Sequence, residues 1–221
     1  MKNKKLIIFG TGELAELANF YFTKDSNHIV CGFTVNKEFI KSDTYLDLPL
    51  VPFDEVASRF PPVECDLFVA VGYSNLNENR KAKYFEAKEL GYKLASYVST
   101  KNSVWDDFTV GENTFIMENN TIMPFAKVGN NVLVFVGNII AHHMIIEDHA
   151  TLTSHCAIGG NVIIREGAFL GLNCTIRNGV VVNKKAIVST SSNVVKDVAE
   201  FDVVMGNPAK SIGKRSTEIT L

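Results

Sequence analysis

Four of the five histidines in this chain fall within residues 139–155, in the stretch IIAHHMIIEDHATLTSH: His142, His143, His149 and His155. Imidazole has an ordinary pKa of about 6.5, so it takes up and returns a proton near neutral pH, and it is a common metal ligand. Such a cluster serves one of three ends. It ligates a metal, it supplies a general base with neighbours, or it forms polar corners on a repetitive scaffold. The choice depends on which element carries the four rings and where it points them.

A repeat identifies that element. Counting in sixes from Val98 to Val194, seventeen consecutive positions are Val, Ile or Leu, with no insertion. Four places after each, from residue 114 onward, the side chain is mostly small or slender. Internal periodicity of this kind outranks local propensity as a signal of architecture. A six-residue period makes one short flat strand and one corner. The large aliphatic residue points inward and the small one fills the tapered interior near the turn. Three hexads close a triangular coil of 18 residues, and stacked coils form a parallel β-helix. About five coils fit between Val98 and Val198.

An 18-residue lap says which residues stack. His142 and His143 take the third and fourth places of their hexad, at a corner, and are expected to project outward. Asp148-His149 and Ser154-His155 take the same places in the next two hexads, on the other two corners. Within one subunit the four rings therefore do not converge on a metal; convergence requires a second subunit. Gly160 lies 18 residues after His142, one strand spacing of about 4.8 Å away on the same corner. A glycine there lets a ligand approach the backbone closely. One N–H beside one base suits acyl transfer. Cys156 and Cys174, also 18 apart, are expected as adjacent reduced thiols in the coil interior.

Residues 1–97 have a different rhythm. Strands are expected at 4–10, 29–35, 66–72 and 92–98, with helices at 13–22 and 79–90 and a short strand and helix over 49–59. Gly91 is placed to cap the second long helix. This alternation implies a small parallel α/β sheet of Rossmann-like type. Gly10-Thr11-Gly12 forms a tight turn between the first strand and helix, with Ala15 where a dinucleotide fingerprint has its third glycine. No acid ends the second strand, which closes as Phe33-Thr34-Val35-Asn36, so a ribose-binding carboxylate is missing. The amides of Gly10, Thr11 and Gly12 remain available to an anion at the helix N-terminus. Two domains follow: a small α/β domain over 1–97 and a β-helix over 98–221.

Bulk properties narrow the function. The chain has 221 residues, 46% hydrophobic and 21% charged, with a net charge of −2. No basic excess points to nucleic acid. No apolar run is long enough to span a bilayer, and the basic start is followed by too short an apolar segment for a signal peptide. A cytoplasmic protein is expected. Its C-terminal stretch is locally basic: residues 184–215 hold Lys184, Lys185, Lys196, Lys210, Lys214 and Arg215 against Asp197, Glu200 and Asp202. Cofactor phosphates would suit such a patch, as would solvent.

The whole chain resembles the bacterial nucleotide-sugar acetyltransferases built from hexapeptide repeats, of the sialic-acid O-acetyltransferase and bacillosamine N-acetyltransferase type. Three features carry the resemblance. The first is the strand, Gly10-Thr11-Gly12 turn and helix, followed by Val71-Gly72-Tyr73-Ser74-Asn75 and Arg80. The second is the hexad array with Ile140-Ala141-His142-His143 and, one coil on, Gly159-Gly160-Asn161-Val162. The third is Gly206-Asn207-Pro208-Ala209-Lys210.

The resemblance implies a left-handed β-helix, against the usual right-handed rule for parallel crossovers, and a homotrimer with active sites between subunits. It implies acetyl-CoA as acyl donor, with no metal, and an N-acetyl transfer to a nucleotide-linked amino sugar. His142 takes the place of the general base, with His143 as the alternative, and the Gly160 amide that of the oxyanion donor. Gly160, Gly171, Lys196 and Lys210 are assigned to coenzyme A. Gly10, Thr11, Gly12, Ser74, Asn75 and Arg80 are assigned to the nucleotide sugar. The sequence departs from the family in one respect: His143 stands where the family has an acid. Glu118, Glu147 or Asp148 of a neighbouring subunit are the candidates to replace it. Three alternatives stay open: O-acetylation of a sugar hydroxyl, a γ-carbonic-anhydrase-like zinc protein with histidines across a trimer interface, and a non-catalytic binding module.

Overall fold

The computed structural model describes residues 4–221. They fall into two units, residues 4–72 with 80–97 and residues 73–79 with 98–221. The first is built on β1 (Lys4–Phe9), α1 (Glu13–Lys24), β2 (His28–Val35), β3 (Thr44–Tyr45), β4 (Leu48–Pro52), α2 (Val56–Arg59) and β5 (Cys65–Val69). A further helix, α3 (Glu78–Glu89), begins where the chain returns from its excursion into the second unit. The sheet order is β3-β4-β2-β1-β5. All pairs are parallel except the β3–β4 hairpin. β1 lies inside the sheet, and its Leu6, Ile7 and Ile8 are wholly buried. That is the pattern of a parallel strand covered on both faces. The strand expected over 92–98 is reduced. Leu94 makes a single bridge to Leu67, and Tyr97–Val98 is a two-residue strand.

The second unit is a parallel β-helix of left-handed type. Two-residue strands recur every six residues, from Phe115–Ile116 to Asn193–Val194. They pair at a register of 18: Ile122 with Ile140, Ile140 with Ile158, Ile158 with Ile176, and Ile176 with Val194. Three sheets result. Sheet I carries Ile139–Ile140 and its stack-mates, sheet II carries Ile145–Ile146, and sheet III carries Thr151–Leu152. The aliphatic ladder and the small residues four places on, including Ala150, Cys156, Ala168, Cys174 and Ala186, form one continuous buried core. Cys156 and Cys174 are free thiols there. Their mutual hydrogen bond, together with burial, pushes the Cys174 thiol up and keeps it protonated. Past residue 194 the lap shortens. Ile187 pairs with Val203, and the strand Asp202–Met205 folds against Lys210–Arg215, the antiparallel strand that ends the ladder.

The corners follow a backbone rule. Every sixth residue from Asn113 to Ser191 has φ between +54° and +75°. Of these fourteen fourth-place residues, five are Asn, three Gly and three His. Asn and His are the side chains that tolerate left-handed backbone best after Gly. His143, His149 and His155 are those three histidines. A local steric demand thus accounts for their type and spacing. It does not account for His142, which holds the third place.

Sheets I and II leave their outer faces exposed, whereas the outward residues of sheet III are buried. Residues 73–79 cover part of sheet III. Leu76 packs on Phe169, Ile187 and Val203, and Tyr73 sits edge-on to Phe135 and tilted on Phe169. Asn77 is buried; it accepts from the Thr151 hydroxyl at 2.7 Å and donates to the Gly167 carbonyl at 3.1 Å. Among the described residues no helix is long and apolar enough to cross a membrane.

Candidate active site

The edge between sheets I and II carries, coil by coil, Pro124-Phe125, His142-His143, Gly160-Asn161 and Asn178-Gly179. Backbone bonds lock this register: Asn161 N–H donates to the His142 carbonyl at 3.0 Å, and Gly179 N–H to the Gly160 carbonyl at 3.0 Å. The His142 imidazole lies directly over Gly160. A Cβ placed on Gly160 would be 2.5 Å from His142 Nε2, so the glycine is what makes room for the ring. The Gly160 N–H stands outside the ladder and donates to no acceptor among the described residues. At the edge between sheets II and III, two of the equivalent N–H groups are met by side chains of the next coil: Glu112 N–H by Asn130 Oδ1 and Asn130 N–H by Asp148 Oδ1. The His142 edge thus sets an unused donor beside an imidazole.

The neighbours of His142 differ from the expectation of a carboxylate. Its Nδ1 lies 3.2 Å from Nδ1 of His143. The His143 ring is stacked on Phe125, 4.7 Å between centroids and tilted by 39°. Among the described residues no carboxylate contacts either ring. Two acids proposed to fill that role have other work within the chain. Glu147 pairs with Arg165 and accepts from the Glu166 N–H, and Asp148 accepts from both the N–H and the side-chain amide of Asn130.

The other two histidines stand apart, as the coil arithmetic required, but one corrects the sequence reading. His149 does not project into solvent. It is 4% exposed and ends a buried ladder in which Asn113 donates to Asn131 and Asn131 donates to His149 Nδ1, each at 2.8 Å. Side chains stacked 18 residues apart meet there, and an isolated hexad pattern does not reveal their burial. His155 is exposed and lies over Gly137 on the third edge.

The residues assigned to coenzyme A divide. Lys196 and Lys210 line one cavity of about 390 Å³, together with Asp197, Asp202 and Pro208. Gly171 is buried on the third edge, between sheets III and I, where a Cβ would meet Thr190 N at 2.5 Å; packing of the next coil requires it, and it does not approach His142. The basic patch is smaller than its count implies. Lys184 pairs with Glu166 and Lys185 with Glu78, both at 2.9 Å.

In the first unit, Gly10 has φ +124° and a Cβ there would strike the Ala70 carbonyl at 2.8 Å, so the turn requires glycine. Gly12 caps α1 without a side-chain bond. Glu13 and Glu16 occupy the first turn of that helix, where their charge opposes a second anion. Thr11 lines a cavity of about 300 Å³ with Phe39, Lys41, Ser42, Thr44, Tyr45 and Leu50. It lies beyond the carboxyl end of β1, the usual ligand position in an open α/β sheet. Ser74 and Asn75 are exposed and joined through Asn79. Arg80, assigned to the nucleotide sugar, turns its side chain inward. It is fully buried, donates to the Gly72 carbonyl at 2.9 Å, and braces the loop from within. Burial pushes its guanidinium down from the ordinary value, though it remains charged at neutral pH.

Phe125 escaped the sequence reading. It is an aromatic residue in left-handed backbone and 70% exposed. Its position 18 residues before His143, in a row otherwise rich in Asn, Gly and His, was the available signal. A cavity of about 240 Å³ adjoins it, lined by Trp105, Phe108, Met123 and Pro124 among others. Among the described residues no three potential metal ligands come together.

No family model matches the chain, and no curated protein does. Solved structures match over nearly its full length. The acetyltransferase domain of PglB from Neisseria gonorrhoeae FA1090, in complex with acetyl coenzyme A, is 18% identical over 95% of this chain and 100% of its own, with a TM-score of 0.84. PerB from Caulobacter crescentus, in complex with CoA and GDP-perosamine, is 22% identical over 95% and 97%, with a TM-score of 0.84. WeeI from Acinetobacter baumannii AYE is 19% identical over 95% and 100%, with a TM-score of 0.71. At such identities the likeness establishes architecture, and the chain has the fold of the hexapeptide-repeat sugar acetyltransferases.

Proposed function

We propose that this protein is an acetyl-CoA-dependent N-acetyltransferase acting on a nucleotide-linked amino sugar, in the cytoplasm where acetyl-CoA is made. The observation that carries the reading is the placement of His142 Nε2 over Gly160, whose N–H has no acceptor among the described residues. The sugar amine attacks the thioester carbonyl and forms the C–N bond. His142 Nε2 takes the proton that the nitrogen sheds. The Gly160 N–H donates to the oxygen as it becomes negative. The C–S bond then breaks, and the imidazolium returns its proton to the departing thiolate.

Two of the binding assignments lie along the same edge. Lys196 lies three coils beyond His142, roughly 14 Å at one strand spacing per coil. We assign the cavity it shares with Lys210 to the phosphates of coenzyme A. The aromatic cavity at Trp105 and Phe125 is large enough for one sugar ring and offers apolar surface to its C–H face. The cavity at Thr11 and Lys41 is assigned to the nucleotide. Complexes of PglB and PerB with acetyl coenzyme A, and with CoA and GDP-perosamine, support these ligand classes. We further propose a trimer with the site between subunits, because sheets I and II leave Ile139 and Ile145 exposed.

A thiol-release assay with acetyl-CoA against UDP-, dTDP- and GDP-linked 3- and 4-amino sugars tests the reading, with the corresponding sugar alcohols as the O-acetylation arm. Release with an amino sugar is expected. Replacing His142 with Ala is expected to lower turnover by on the order of 10²–10⁴. No release from any member of the panel would leave a binding module; full activity in the variant would remove His142 as the base.

A further inference from the structure

A base needs a lone pair on the nitrogen that faces its substrate. For His142 that nitrogen is Nε2, since Nδ1 faces His143 and the Cε1–Nε2 edge of the ring lies over Gly160. The hydrogen of the neutral ring must then sit on Nδ1, and a nearby acceptor has to hold it there. In a carboxylate-assisted histidine the acceptor is an acid. Here no carboxylate among the described residues reaches the ring, and the atom opposite Nδ1, at 3.2 Å, is Nδ1 of His143.

We propose that His143 is the positioning residue of the site: its Nδ1 accepts the hydrogen bond from His142 Nδ1–H and so frees His142 Nε2 to take the proton. The inference rests on the reading of His142 as base. Three further observations support it. His143 turns Nδ1, not Nε2, toward His142, and no described residue bonds its Nε2, so its ring hydrogen can sit on Nε2 and leave Nδ1 as the lone-pair nitrogen. Its backbone is left-handed, φ +57°, a conformation that histidine tolerates. Its ring is stacked on Phe125, one coil earlier on the same edge, which fixes its plane. The exposed aromatic at residue 125 thereby gains a purpose that packing does not give it. When His142 accepts the amine proton, the bond to His143 becomes charge-assisted and about twice as strong. The proton leaves again through Nε2 to the thiolate, and His143 ends the cycle unchanged.

Two measurements test this. Nitrogen-15 spectra of the imidazoles in the unliganded protein, assigned with the H142A and H143G variants, report the tautomer without any substrate. The expected state is hydrogen on Nδ1 of His142, changing to hydrogen on Nε2 in H143G. Hydrogen on Nε2 of His142 in the unchanged protein would overturn the proposal. Turnover is the second readout. His143→Gly suits the left-handed position and removes only the ring. It is expected to lower kcat by roughly 10- to 100-fold, the scale seen for partners that orient a histidine, with KM for both substrates within about twofold. His143→Asp, also tolerated in left-handed backbone, restores an acceptor and is expected to recover most of kcat. An unchanged kcat in H143G beside an inactive H142A would sink the pairing alone. An active H142A would instead sink the underlying assignment of the base.

Discussion

Gly160 is glycine for the sake of its neighbour. Its φ lies outside the left-handed region, so alanine fits its backbone, but a Cβ would occupy the space of the His142 ring. Gly160→Ala is therefore expected to fold normally and to bind coenzyme A, while the displaced imidazole and crowded N–H lower kcat by on the order of 10²–10³. Steady-state rates beside calorimetric coenzyme A affinity check this; an alanine variant with full kcat would mean that the juxtaposition has no part in the chemistry. The pairing of His142 with Gly160 was legible in the sequence because it needs only the number 18. The contact of His143 with Phe125 obeys the same arithmetic but also needs ring orientations, which a repeat does not encode. The burial of Arg80 was hidden for a different reason. Its side chain is buried and donates to the loop carbonyl at Gly72, and neither residue's type announces it.

The strand-and-corner unit was the most legible element, because a fixed inward aliphatic residue every six places leaves a period that no helix or ordinary strand imitates. Its corners were only half read. The third and fourth places were expected to form an outward corner, whereas the determinant of the fourth is backbone sign, with φ between +54° and +75° along the whole row. That determinant has a measurable cost. Asn161→Val puts a β-branched residue at φ +58° and is expected to lower unfolding free energy by about 1–2 kcal/mol, while Asn161→Gly stays near neutral. Urea titration of the two variants distinguishes this from a loss of side-chain contact, which would penalise both. The reduced strand over 92–98 shows the converse limit: apolar alternation is present, but pairing with the sheet of the first unit extends only to the Leu94–Leu67 bridge. Strand β2 offers a pH test. Burial lowers the His28 pKa below 6.5 despite Asp66 Oδ2 at 3.5 Å, which acts in the opposite sense. The unfolded chain then binds the proton more readily, so the α/β unit loses stability as pH falls below about 6.5 and gains nothing above it. In His28→Asn this slope should disappear; a slope that persists assigns it to other groups.

At the scale of the molecule, the two periodicities of the sequence separate two units of different construction, but residues 73–79 cluster with the second. Nothing in that segment's composition indicates this. Its Leu76 and Asn77 are buried by sheet III, through contacts distant in sequence. The consequence is an asymmetric prism. Sheet III spends its outer face within the chain, and sheets I and II keep theirs. Sheet II stacks Ile145, Ile163 and Val181 outward in one row. An aliphatic ridge of this kind on a protein surface marks an association surface, and closed rotational symmetry is the usual way to satisfy it. Ile163→Lys sets a charge in the middle of the ridge without touching the interior ladder, which runs through Ile164. The unchanged protein is expected to sediment at three times the chain mass and the variant at the chain mass, with folded circular dichroism and turnover lost. Restored turnover at high protein concentration would tie the loss to dissociation. An unchanged protein that sediments as a single chain while active would remove the intersubunit site, and the search for the remaining substrate contacts would then return to the one edge that carries His142.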